Sequence, residues 1–166
     1  MRVDRVFIAG TIQGSHRGTD IEDQSYRVTI PALVNRFFPG AECFDPSAAV
    51  RNALADAKVA ALVEALRRDV PPVLETASLP PELTGLRETF HAMTREVARC
   101  DLCIAYLPGH MPSMGTAMEM YAAHLSGVPV VTVTDMVTNL AVASVSTWIL
   151  RDLAALEEWL SRLAAA

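Results

Sequence analysis

From Val3 to Ala9 the chain is apolar and β-branched apart from Asp4 and Arg5, and it stops at Gly10, the pattern of a buried strand that empties into a loop. Thr11 to Gln24 is that loop, with Gly14, Ser15, Gly18 and three acids, a composition suited to a ligand-facing segment rather than a tight turn. A helix is predicted from about Ser25 to Phe38, broken by Pro39-Gly40 and followed by a short strand, Ala41 to Phe44. Asp45-Pro46-Ser47 forms the entrance of a helix rich in Ala, Leu and Arg that runs to about Asp69. Val70 to Gly85 holds Pro71, Pro72, Pro80 and Pro81 and reads as a surface loop. Leu86 to Arg99 places Phe90, Met93 and Val97 on one helical face, and Leu102 to Leu107 is a continuous apolar run of buried-strand type. After a turn from Pro108 to Pro112 come a helix (Ser113 to Ser126), a strand (Val128 to Thr134), a last short strand (Trp148 to Leu150) and a helix from Asp152 to Leu163.

This alternation predicts a single α/β domain over residues 1–166, a flavodoxin/Rossmann-like three-layer sandwich whose parallel five-stranded sheet has the order 2-1-3-4-5. Ligands of such sheets sit outside the carboxyl ends of the strands, where the order reverses between strands one and three. Two loops therefore matter most: Gly10 to Gln24 and Leu107 to Gly115.

Composition narrows the partners. A hydrophobic fraction of 51% supports a buried core, and a formal charge of -5 leaves no basic footprint for polymeric nucleic acid. No apolar stretch reaches bilayer length, and Met1 to Gly10 reads as a strand rather than a secretion signal, so neither a membrane partner nor an export route is expected and the address is the cytoplasm. Cys43, Cys100 and Cys103 build no disulfide framework; Cys100 and Cys103 read as small buried residues. With His16, His91, His110 and His124 scattered, no metal and no cofactor is expected. Met93, Met111, Met114, Met118, Met120 and Met136 read mainly as core filling, and Trp148 and Trp159 as packing residues.

The chemistry concentrates in Pro112-Ser113-Met114-Gly115-Thr116-Ala117-Met118-Glu119, between a buried strand and a helix. Ser113 stands at the N-cap, and the free N–H groups behind it can hold an anion such as a phosphate. Glu119 falls in the early turns, where the helix dipole favours its ionised form. Ordinary helix grammar also accounts for a capping serine followed by an acid.

Ser113 to Met120, followed by Ser126-Gly127-Val128-Pro129-Val130-Val131, resembles the signature of the nucleoside 2-deoxyribosyltransferase-like superfamily. Val6 to Gly14 resembles its first strand and ligand loop, Ala98 to Pro108 its central strand, and Asn139 to Leu153 its C-terminal segment. Within it the chain is most similar to the branch that hydrolyses pyrimidine nucleoside 5'-monophosphates, such as cytidylate. The deoxyribosyltransferases carry an aspartate six residues before the catalytic glutamate, where this chain has Ser113. An aspartate there would repel a phosphate; a serine would bind one. One departure stands out: the second carboxylate of the transferases is replaced by Met93, and His91, Glu88 or a residue of the first loop are the candidates to replace it.

The resemblance implies that Glu119 is the catalytic carboxylate that stabilises or captures C1' of the sugar as the base leaves. Arg27 and Tyr26, in Gln24-Ser25-Tyr26-Arg27, are candidates for the proton or hydrogen bond to the departing base, with a solvated helix charge as the rival reading of Arg27. Gly10, Thr11, Gln13, Gly14, Tyr106, Ser113, Met114, Gly115 and Thr116 are candidate substrate contacts. Asp45 either caps the next helix or meets a ribose hydroxyl, the cap being favoured. Asn139 matches an asparagine that related enzymes insert into a neighbouring subunit's site, which implies a homodimer or higher homo-oligomer with shared pockets. Base exchange by a deoxyribosyltransferase and ligand sensing without catalysis are the alternatives.

Overall fold

The computed structural model describes residues 2–12 and 22–166. Five parallel strands, β1 (Arg5–Gly10), β2 (Glu42–Phe44), β3 (Leu102–Leu107), β4 (Val130–Thr134) and β5 (Trp148–Leu150), form one sheet in the order β2-β1-β3-β4-β5. Seven α-helices flank it among the described residues: α1 (Tyr26–Phe37), α2 (Ser47–Ala55), α3 (Ala57–Arg68), α4 (Pro81–Arg95), α5 (Met114–Leu125), α6 (Leu140–Val145) and α7 (Leu153–Ala165). The fold is α/β and Rossmann-like, with the expected strand order.

Alternation along the strands divides the core. Val6 and Ile8 of β1, with Leu102 and Ile104 of β3, face Ile30 and Val34 of α1 and Leu156 and Leu160 of α7. Phe7 and Ala9, with Cys103 and Ala105, face Met120 and Ala123 of α5 and Val142 of α6. Each large side chain so buried contributes about 1.5–3 kcal/mol of transfer free energy, enough to hold both layers on the sheet. β1 and β3 pair with Phe7 opposite Cys103 and Gly10 opposite Tyr106, so both strands deliver their last residues to one edge.

Four expectations need correction. The long helix after Asp45 is two helices, because Asp56 is extended (φ -61, ψ 127) and its carboxylate accepts from the N–H of Lys58 and of Val59, starting α3 afresh. Residues 81–85 belong to α4 rather than to a loop: Pro81 takes its first position, where a missing N–H costs nothing. Asn139 caps a short helix, α6, where no element was expected. Of the methionines, Met120 and Met136 are buried, whereas Met114 (82% exposed) and Met118 (47%) lie on the surface and fill no core. Cys100, Cys103 and Trp159 are buried as anticipated, the last ring 5.0 Å from that of Trp148. No helix of the described residues is long and apolar enough to cross a membrane.

Candidate active site

At the carboxyl edge of the sheet, β1 runs out through Gly10 and Thr11 beneath the Tyr26 ring. A Cβ on Gly10 would lie 2.3 Å from the Tyr26 hydroxyl oxygen, so glycine is required here by the tyrosine above it. Tyr26 is buried, donates its hydroxyl to the Thr11 carbonyl at 3.2 Å and packs against the Tyr106 ring at 4.7 Å between centroids. Burial pushes its phenol well above the usual tyrosine range. Thr11 is 4% exposed, and its hydroxyl has no hydrogen-bond partner among the described residues. A cavity of about 210 Å³ opens here, lined by Thr11, Glu22, Asp23, Tyr26, Tyr106 and Met111. Gln13 and Gly14, in the same loop, lie outside the described residues.

Beside it, β3 leads through residues 108–112 into α5. Ser113 is extended (φ -127, ψ 113), and its Oγ accepts from the Thr116 N–H at 3.3 Å and from the Thr116 hydroxyl at 2.9 Å. The N–H groups of Met114 and Gly115, at the first two helical positions, have no intrahelical partner and face outward with a partial positive charge. Gly115 approaches Phe90 of α4, whose ring would lie 3.4 Å from an added Cβ.

The inward face of α5 carries Thr116, Glu119 and Met120, all buried. Glu119 is 5% exposed, and no described residue hydrogen-bonds its carboxyl. Desolvation raises its pKa to about 8, opposed by the nearby Arg27 charge and reinforced by that of Asp45. The dipole was expected to favour the ionised form, but its influence fades beyond the first turn, and burial at this depth outweighs it.

Arg27 is not a solvated helix charge. Its side chain is 4% exposed, with Nε donating to Gln24 Oε1 at 2.7 Å, Nη1 to Asp45 Oδ1 at 2.5 Å and to the Ile8 carbonyl at 3.4 Å, and Nη2 to the Gly10 carbonyl at 3.0 Å. Four protein partners leave its guanidinium little to offer a departing base. Asp45, one residue before the Pro46 N-cap of α2, accepts from the Ser47 N–H and hydroxyl at 2.8 Å each and pairs with Arg27. The ion pair was not legible in the sequence, although Asp45 itself was; nor was the part of Glu22 and Asp23 in the cavity wall, for which the acid run after the glycine loop is the available signal.

Arg27 and Tyr26 meet Gly10, Thr11 and Tyr106 where β1 ends, and Glu119, on the face of α5 turned toward the sheet, feels the charges of Arg27 and Asp45. Met114 and Asn139 lie elsewhere on the surface: with Ser113, Tyr121 and Met136 they line a cavity of about 310 Å³ between α5 and α6 that Glu119 does not border. Asn139 Oδ1 accepts from the N–H groups of Ala141 and Val142 at 3.0 and 3.2 Å, which leaves its amide NH₂ available. A third cavity, of about 570 Å³, lies across Tyr106 from the first and is lined by Gly109, Asp135, Arg151 and Asp152 among others.

No family model and no curated protein matches the chain. Solved structures do. The 2-deoxyribosyltransferase of the psychrotolerant bacterium Bacillus psychrosaccharolyticus is similar at 18% identity with a TM-score of 0.52, over 92% of this chain and 90% of that one. A conserved protein of Enterococcus faecalis is similar at 16% identity with a TM-score of 0.43, over 98% of this chain and 88% of that one. The likeness is one of fold.

Proposed function

We propose that this chain cleaves the N-glycosidic bond of a nucleoside 5'-monophosphate, a pyrimidine nucleotide of the cytidylate kind, giving free base and a sugar 5-phosphate. The observation that carries the reading is Glu119: a buried carboxyl without a hydrogen bond, on the helix whose Ser113 cap and open N–H groups suit a phosphate. The resemblance of Ser113 to Met120 to the nucleotide-hydrolysing branch supports it, as does a fold shared with an enzyme named for deoxyribosyl transfer.

In this reading the glycosidic bond breaks with its electron pair going to the base, which takes up a proton. The Glu119 carboxylate captures or stabilises C1', and water then adds to C1' and frees the carboxylate. Tyr26 and Tyr106 supply an aromatic wall, and Thr11 a hydroxyl still to be satisfied. With its donors engaged, Arg27 contributes charge rather than a proton. Incubation with a panel of nucleoside monophosphates and nucleosides, followed by chromatography of free base, tests this: release from the monophosphates and not from the nucleosides is expected. Base exchange is the second reading, favoured by the transferase fold; transfer to an added second base without net hydrolysis would establish it.

The working unit in this proposal is a homodimer with shared pockets. Met114, Met118, Tyr121 and Leu125 form an exposed apolar stripe along α5, continued by Val137 and Leu140 beside Asn139. Co-expressed Glu119→Ala and Asn139→Ala chains should regain activity in mixed dimers if Asn139 serves the neighbouring site; sedimentation as an active monomer would exclude it.

A further inference from the structure

Where β1 ends, one half-buried side chain, Gln24, ties together residues that lie far apart along the chain. Gln24 Nε2 donates to the Thr11 carbonyl at 2.9 Å, to the Glu22 carbonyl at 2.9 Å and to the Asp23 carbonyl at 3.2 Å. Its Oε1 accepts from Arg27 Nε at 2.7 Å, and the Arg27 guanidinium in turn donates to the Ile8 and Gly10 carbonyls. Carbonyls on one side and a guanidinium N–H on the other admit only one orientation of the amide. The Thr11 carbonyl also accepts from the Tyr26 hydroxyl, so two donors hold it, and the Glu22 N–H donates to the Ile12 carbonyl at 2.7 Å. Among the described residues no bond of the Gln24 side chain goes to a backbone N–H of α1, so helix capping does not account for it. The residues whose carbonyls it gathers, Thr11, Glu22 and Asp23, are walls of the cavity of about 210 Å³ beside Tyr26 and Tyr106.

We propose that Gln24 is a positioning residue for the nucleotide pocket: by drawing the Thr11, Glu22 and Asp23 carbonyls onto one amide, it fixes these residues as walls against which the ligand binds. The inference rests on the reading of this cavity as part of the nucleotide site. An amide suits the task because it offers N–H groups to the carbonyls and an acceptor to Arg27 at once. Walls fixed in advance need no ordering when a ligand arrives, and the gain appears as affinity. Glutamate at this position would keep the size and the bond to Arg27 but set a carboxylate oxygen against the three carbonyls. Methionine would keep the length and lose every bond.

The test uses the full chain as wild type, Gln24→Glu and Gln24→Met, titrated with cytidine monophosphate by calorimetry and followed by amide hydrogen exchange. The Kd should rise about tenfold in both variants, the scale of one lost hydrogen bond. The Glu22 amide should exchange about tenfold faster in them, while the buried Ile104 of β3 keeps its protection. A part in global stability alone would speed both amides together and leave the Kd of the folded fraction unchanged. In base release, KM should rise with Kd and kcat should fall by less. A folded Gln24→Glu chain with the wild-type Kd would overturn the proposal; should that variant not fold, a wild-type Kd in Gln24→Met would do the same. Wild type that binds cytidine monophosphate without releasing base would sink the glycosidase reading, and the Kd values would still decide the role of Gln24. Wild type that binds none would overturn both.

Discussion

Two carboxylates at opposite edges of the same sheet have opposite surroundings. At the amino edge, Asp101 is exposed, and its Oδ2 accepts from the N–H groups of Asp4 and Arg5 at 2.8 Å each, stitching the start of β3 to the start of β1. At the carboxyl edge, Glu119 is buried with no hydrogen bond among the described residues. The first acid takes two backbone donors on one oxygen and serves the fold. The second is 5% exposed and carries no protein hydrogen bond among the described residues, and desolvation of its charged form costs stability. Side-chain type does not separate the two; the count of bonds made does.

The largest effect that would break this contrast is on the stability of the two ends. The Glu119 carboxyl ionises near pH 8 in the folded chain against an ordinary value of 4.5, so the unfolded chain loses its proton first. Its burial therefore penalises folding increasingly as pH rises from 4.5 to 8, and by a constant amount above that. Denaturant titrations of Glu119→Gln should show a variant more stable than wild type by a few kcal/mol at pH 9 and little different at pH 4. A gap that shrinks with rising pH would contradict the assignment. Asp101→Ala should behave in the opposite sense, losing about 2 kcal/mol at neutral pH through two orphaned N–H groups, while the folded fraction keeps its chemistry. Gly10→Ala forces the Tyr26 ring off β1 and should cost about 1–3 kcal/mol with a visible change in near-ultraviolet circular dichroism. The smallest effect is expected for Asn139→Ala: loss of the α6 cap costs about 1 kcal/mol, read from the urea midpoint.

How far these features were legible in the sequence follows from how local each one is. The buried strands were, because Val6-Phe7-Ile8-Ala9 and the run from Leu102 to Leu107 admit few readings inside an alternating α/β chain. The Ser113 cap was as well, since its bonds reach only three residues along the helix. The break at Asp56 was hidden by good helix formers on both sides, and the prolines at 80 and 81 looked like loop although one of them opens α4. Least legible was the protonation of Glu119: it depends on how deeply α5 sinks against β1 and β3, a property of packing and not of position along the helix. The Arg27–Asp45 pair is hidden for the same reason, its partners separated by 18 residues and joined only once β1 and β2 lie side by side.

The central claim is that the unsatisfied acid at the carboxyl edge acts on a nucleotide. Its most direct test sets wild type, Glu119→Ala and Asp101→Ala side by side in a base-release assay with cytidine monophosphate, each corrected for folded fraction. Release should fall about a thousandfold in Glu119→Ala, with nucleotide binding retained, and stay within a few-fold of wild type in Asp101→Ala. Equal release by wild type and Glu119→Ala would contradict the claim.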